Sequence, residues 1–272
     1  MKIRFRTVLV AVSSLTLLAI GAQAGTLTVA TDNDVILGFF APSTGKNLEV
    51  DLGNISQFTS AAAGSTLTLG ELSPLDLSGN YGASWQTLSD LTFGVIATTG
   101  RPSAGGNYTI WASEPDTTPP NSPYPVKASG PNALSISDIE PVNIRLNGQT
   151  STANSAFSAV IPFSNTGDGS YWGQDTFTAG VSFRQFSPMI DNNISTSFTA
   201  NSGIAISDFL QLTPGSGNAF GVDIGKFELF SNGALEFVAT PVPEPSSIGL
   251  MGVGFLSLIG MVVLRRRRSA VA

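Results

Sequence analysis

Between residues 25 and 240, short runs rich in Val, Ile, Thr and Phe recur between clusters of Gly, Asn, Asp and Pro. Strands joined by tight turns leave this pattern, because β-branched and aromatic side chains suit a pleated surface and the punctuating residues suit turns. The spacing predicts strands at Thr26–Ala30, Val35–Phe40, Asn47–Leu52, Leu91–Thr98, Asn107–Ser113 and Thr176–Phe183. Within Asn47–Leu52, Leu48, Val50 and Leu52 fall on one face; within Thr176–Phe183, Phe177, Ala179, Val181 and Phe183 do the same. The sharpest local signal is Asn232-Gly233, set between Gly225–Phe230 and Ala234–Ala239. Asn-Gly is the preferred pair for a type I′ hairpin turn, in which both turn residues take positive φ. The expected fold is mainly β, an antiparallel β-sandwich-like domain that closes on this hairpin.

Two stretches resist the strand reading. Leu77–Asp90, around Tyr81 and Trp85, fits a short helix or an irregular loop, and a short helix also fits residues 148–160. Pro115, Pro119, Pro120, Pro123 and Pro125 make residues 114–125 a polyproline-like loop, which could divide the region into subdomains near 25–113 and 126–240.

The chain's ends read differently. Lys2, Arg4 and Arg6 precede an apolar stretch, Val8 to Ile20, and Ala22-Gln23-Ala24 is a small-x-small cleavage site. Residues 1–24 are therefore expected to be a signal peptide cut by signal peptidase after Ala24. Residues 248–264 are uncharged and apolar, and four arginines follow, Arg265, Arg266, Arg267 and Arg268. As a helix this stretch is roughly 25 Å long, near the lower limit for crossing a bilayer. The arginines would keep residues 265–272 cytoplasmic and leave residues 25–247 outside the inner membrane.

Charge and missing residue types narrow the chemistry. Three of the 13 basic residues stand at the N-terminal end and four follow residue 264, which leaves six against 19 acidic residues, a net of −13 for the chain between. Such a domain is not expected to bind nucleic acid or an anionic surface by charge. With no cysteine and no histidine, disulfides, thiol catalysis, Ser-His-Asp triads and His-zinc chemistry are excluded. Carboxylate pairs, Lys, Tyr or Ser/Lys arrangements remain open to catalysis, and spacing selects no particular carboxylate pair for glycosidase chemistry.

Other groupings carry residue types suited to binding. Asp32-Asn33-Asp34 and the loop Asn165–Ser170, with Asp168 and the following Asp175, are rich in the oxygen ligands that calcium takes. Asx-rich turns produce the same composition without a metal, since Asp and Asn bond their own backbone. Trp85, Trp111, Trp172, Tyr81, Tyr108 and Tyr171 could form a sugar-stacking surface, with Tyr171-Trp172 the leading pair, or plug a core. Asn54-Ile55-Ser56, Asn107-Tyr108-Thr109 and Asn193-Ile194-Ser195 match the N-glycosylation sequon.

A plain single-pass anchor explains residues 248–272 but not Pro241-Val242-Pro243-Glu244-Pro245-Ser246-Ser247, where three prolines in five residues force an extended segment. Val242-Pro243-Glu244-Pro245, then a short apolar helix, then Arg265–Arg268, resembles the PEP-CTERM sorting signal. The resemblance implies recognition by an exosortase, an integral membrane cysteine transpeptidase, with cleavage near Pro-Glu-Pro, in a Gram-negative bacterium that makes extracellular polysaccharide. It divides the chain into a signal peptide (1–24), a β-rich extracytoplasmic domain (25–240), a proline-rich linker (241–247), a transmembrane helix (248–264) and a basic tail (265–272). Val35–Phe39, Asn47–Gly53, Gly82–Gly94, Pro141–Asn147 and the terminal hairpin also resemble ectodomains of PEP-CTERM proteins, and that likeness carries no activity with it. The expected function is a non-catalytic surface or matrix protein without a cofactor, associated with biofilm or exopolysaccharide. A surface carbohydrate-binding module is the alternative, and a hydrolase with paired carboxylates is a third possibility.

Overall fold

A computed structural model of the chain describes residues 33–99, 109–116, 146, 149–161, 192–212 and 221–241. The first strands, β1 (Asp34–Ala41) and β2 (Lys46–Asn54), form a hairpin. Its turn closes through Thr44 and Gly45 N–H groups donating to the Ala41 carbonyl, each at 3.0 Å. After α1 (Ser56–Thr59) and β3 (Thr66–Leu69) comes α2 (Pro74–Tyr81), followed by a 3₁₀ turn at Trp85–Thr87. Strands β4 (Thr92–Thr98), β5 (Ile110–Pro115), β6 (Ser158–Ile161) and the two-residue β7 (Asn192–Asn193) precede α3 (Ile194–Ala200). The chain then runs through β8 (Ile204–Leu212), β9 (Val222–Phe230) and β10 (Leu235–Ala239).

Local sequence explains the helix limits. Ser73 caps α2 by accepting from Leu75 N, Pro74 occupies the first helical position, and Asp76 lies in the first turn, where the helix dipole favours negative charge. Gly82, at φ 89°, ends it. Asn193 caps α3 by accepting from Thr196 N at 3.0 Å.

All the ladders are antiparallel and join into one sheet in the order β3-β10-β9-β8-β5-β4-β1-β2-β6, with β7 beside β4. Among the described residues the expected two-sheet sandwich gives way to a single sheet curled into a half-barrel. Strand twist accumulates across so many neighbours, and among the described residues short helices rather than a second sheet pack on the core face. Phe58 of α1 meets Phe237, Phe227 and Phe209 at ring-centroid distances of 5.1, 5.6 and 6.3 Å. Trp85 packs edge-on against Phe198 of α3 at 5.8 Å, and Phe39 stacks on Phe93 at 6.0 Å. The proposed division near residues 114–125 is not observed: β8 pairs with β5, β10 with β3 and β6 with β2, so strands from both sides share the sheet.

Strands β1, β2, β4, β5 and β10 stand where the sequence places them, and Leu48, Val50 and Leu52 share the core face. The other face of β2 is not a solvent face, however. Asn47 and Glu49 are fully buried there, and Asn47 Nδ2 donates to Glu49 Oε1 at 2.7 Å. A row of buried apolar residues, Ile36–Ile96–Ala112–Leu210, crosses β1, β4, β5 and β8 in register. Leu77–Asp90 resolves into α2 and the 3₁₀ turn, whereas residues 149–157 form no helix.

The terminal hairpin corrects the expected turn type. Gly233 has φ 87°, but Asn232 does not take positive φ. Gly233 N donates to Phe230 O at 2.8 Å and Phe230 N to Ala234 O at 2.9 Å. This is a three-residue loop, Ser231-Asn232-Gly233, with glycine in the left-handed position, rather than a two-residue type I′ turn. Asn232 Oδ1 accepts from Ala234 N at 2.9 Å, so the side chain supports the loop without a strained backbone.

Among the described residues no helix is long and apolar enough to cross a membrane. The expected signal peptide, Thr26–Ala30, Thr176–Phe183 and the helix 248–264 lie outside them.

Candidate functional site

The junction between the sheet and the proline-rich segment is built from β10 outward. Strand β10 is an interior strand, paired with β9 on one side and β3 on the other. Beyond the ladder proper, Ala239 N donates to Ser65 O at 2.9 Å, and Ala239 O accepts from Gly64 N at 3.1 Å. One residue later, Thr240 N donates to Ile224 O at 3.1 Å. The Thr240 hydroxyl donates to Asp223 Oδ1 at 2.9 Å, and the same oxygen accepts from Gly225 N at 2.9 Å. The chain is thus held on both flanks up to Thr240. Pro241, which is exposed and has no N–H to give, cannot extend that pattern. Val242, Pro243, Glu244, Pro245 and Arg265, Arg266, Arg267 and Arg268 lie outside the described residues, as do Ala22 and Ala24.

The aromatic residues suited to sugar stacking divide. Trp85, Trp111 and Tyr81 are buried in the core. Tyr108, Tyr171 and Trp172 lie outside the described residues, together with Asp32, Asp168 and Asp175 of the oxygen-rich loops. Asp34 is a buried residue opening β1. Among the described residues no group of three or more His, Cys, Asp or Glu is placed to hold a metal ion. Of the sequons, Asn193 spends its side chain on capping α3 and on donating to Ser89 O at 2.7 Å. Asn54 Oδ1 accepts from Ser56 N at 3.0 Å, and Asn107 lies outside the described residues.

Two polar clusters escaped the sequence reading because each depends on cross-strand register or tertiary contact. On the outer side of the sheet, Asp208 of β8 sits in register between Glu114 of β5 and Lys226 of β9. Burial raises its carboxyl pKa to about 6, helped by Asp116, Asp223 and Glu114 and opposed by Lys226. Lys226 Nζ lies 2.6 Å from Glu228 Oε1. The second cluster surrounds Asp76, 1% exposed in the first turn of α2. It accepts from Ser158 Oγ at 2.5 Å and from Asn154 Nδ2 at 3.1 Å, tying residues 154–158 to the helix. Nearby, burial raises the Asp51 pKa; the Gly53 N–H at 2.8 Å opposes that rise and Glu71 adds to it.

No curated protein and no solved structure matches the chain. Comparison with protein families matches residues 241–268 to the PEP-CTERM protein-sorting motif. The match starts at the residue that follows Thr240, the last described residue hydrogen-bonded to the sheet. The chain therefore carries a PEP-CTERM protein-sorting motif, joined directly to the last described strand of a mainly β, antiparallel domain.

Proposed function

We propose that this chain is a non-catalytic surface or extracellular-matrix protein of a Gram-negative bacterium, with the β domain as its working part. The motif at 241–268 implies sorting by an exosortase to the cell surface or beyond, and it is the observation that carries the reading. In this scheme signal peptidase removes residues 1–24 and the helix 248–264 tethers the chain in the inner membrane. Exosortase then processes it near Pro243-Glu244-Pro245, and the domain acts in biofilm or exopolysaccharide association. The acidic balance of the region between the basic ends and the lack of histidine and cysteine support a binding or structural role over a catalytic one. Mass spectrometry of the protein recovered from its native host tests the proposal. A mature C-terminus near Val242–Glu244 is the expected result; a chain that still ends at Ala272 would reduce the segment to an ordinary anchor.

A further inference from the structure

Beside the terminal hairpin a surface groove of about 800 Å³ opens between three elements. The 3₁₀ turn contributes Gln86 and Thr87, α3 contributes Thr196, Phe198 and Thr199, and the hairpin loop contributes Ser231. The walls are tied together: Gln86 Nε2 donates to Ser231 O at 2.9 Å, and Ser231 N donates to Gly203 O at 3.0 Å. The floor is Phe198, only 9% exposed and fixed edge-on against buried Trp85. No described residue lining the groove is charged, in a region that carries 19 acidic side chains. An anionic ligand would find no cation there and a cationic one no carboxylate, so the groove is matched to a neutral ligand.

The polar groups narrow the class further. Thr87 Oγ1 donates to Ser84 O at 2.9 Å and Thr199 Oγ1 to Ser195 O at 2.8 Å, so both hydroxyls keep their lone pairs for an incoming donor. The hydroxyls of Thr196 and Ser231 have no hydrogen-bond partner among the described residues, and both residues are exposed. Hydroxyls and an amide around a small apolar floor are complementary to a ligand with polar edges and an apolar face, as a pyranose ring has. The size falls within the range of small-molecule sites, roughly 300–1,000 Å³. We infer that this groove binds a short neutral oligosaccharide, with its hydroxyls on Thr196, Ser231 and Gln86 and an apolar ring face toward the small exposed part of Phe198. The inference rests on the proposed role outside the cell and names a ligand class for it.

The test is calorimetric titration of the full chain, held in a detergent without a sugar headgroup. Probes are cellotetraose, maltotetraose and mannotetraose, with tetragalacturonic acid as the charged counterpart. At least one neutral probe should bind saturably with a Kd of about 1 mM or tighter, and the charged tetramer at least about tenfold more weakly. Thr196→Arg and Ser231→Arg should each weaken binding by about tenfold or more at unchanged Tm. Where an arginine variant lowers Tm, Thr196→Val is read in its place, with a loss of about threefold or more expected. Absence of saturation by every neutral probe up to about 10 mM overturns the inference. So does equal binding of the charged tetramer, or undiminished binding in the variants. The mature C-terminus read from the native host does not depend on these results, so failure here leaves the sorting proposal standing and the reverse also holds.

Discussion

The hydroxyl of Tyr81 lies 2.8 Å from the carbonyl oxygen of Phe39, 42 residues earlier in the chain. It donates to that carbonyl and accepts from Leu48 N at 3.2 Å, so one side chain of α2 bridges a cross-strand pair of the β1–β2 hairpin. Burial pushes the phenol pKa well above its ordinary value, with Glu49 adding to the rise against the Leu48 N–H. The hydroxyl therefore stays protonated and keeps its role as donor. Tyr81→Phe leaves a buried carbonyl and a buried N–H without this partner. The expected loss is about 1–3 kcal/mol in urea denaturation. An unchanged urea midpoint would show that the two backbone groups find other partners.

Gly233 is the position where the hairpin loop tolerates no side chain. Its φ is 87°, and a Cβ there would stand 2.8 Å from Pro74 Cβ and 2.9 Å from Pro74 Cα. Gly64 also has positive φ, 72°, but a Cβ there would meet nothing within 4 Å. Gly64→Ala should cost about 1–2 kcal/mol from backbone strain alone. Gly233→Ala should cost about 2–4 kcal/mol, because the clash with α2 adds to that strain. Equal losses in the two variants, measured by the same denaturant titration, would remove Pro74 from the account.

Asp208 supplies a pH dependence whose sign can be worked out. Its folded pKa, about 6, lies above the ordinary 3.8. Between those values the folded chain holds a proton that the unfolded chain has released, so stability falls as pH rises through that window and levels off above it. The side chain is only partly buried, and solvent screening reduces the effect to about 1 kcal/mol. Asp208→Asn should flatten the slope between about pH 4 and 6 and raise Tm at pH 7.5 by about 2–4 °C. A lower Tm at pH 7.5 in this variant would mean that attraction to Lys226 outweighs both burial and the neighbouring carboxylates.

These three sites differ in how far they could be read from the chain. Runs such as Val35–Phe40 and Leu91–Thr98 announce their strands because β-branched and aromatic residues concentrate there. Asn232-Gly233 announces a turn, but the dipeptide leaves open whether the loop has two residues or three; the hydrogen bonds of Phe230 decide that. The Glu114–Asp208–Lys226 row is set by register between β5, β8 and β9, and a long connection separates β5 from β8. Periodicity cannot align strands that far apart. The sandwich expectation failed for a related reason. Strand composition does not say whether a second sheet or a set of short helices covers the first, and here Phe58, Trp85 and Phe198 come from helical turns. The sorting motif was legible because it is written in contiguous residues and needs no fold to be recognised.

Fold and address should therefore be separable by mutation. Thr240 is the last described residue bonded to the sheet, through Ile224 and Asp223, and the motif begins at Pro241. Glu244→Ala lies four positions past Thr240 and should leave the domain's Tm unchanged, within the roughly 0.5 kcal/mol typical of substitutions away from packed contacts. It should nevertheless block processing, so that the chain recovered from the membrane fraction ends at Ala272. Gly233→Ala does the opposite: it weakens the sheet at its contact with α2 and leaves residues 241–268 intact. The molecules of that variant that do fold should still be cut near Pro243–Pro245. Mass spectrometry of the C-terminus, combined with a thermal melt of each variant, reads both properties. If Glu244→Ala is processed normally, the carboxylate is not part of the recognised signal. If Gly233→Ala abolishes cutting in the folded fraction, the enzyme reads the hairpin as well as the motif, and the junction at Thr240 becomes part of the address.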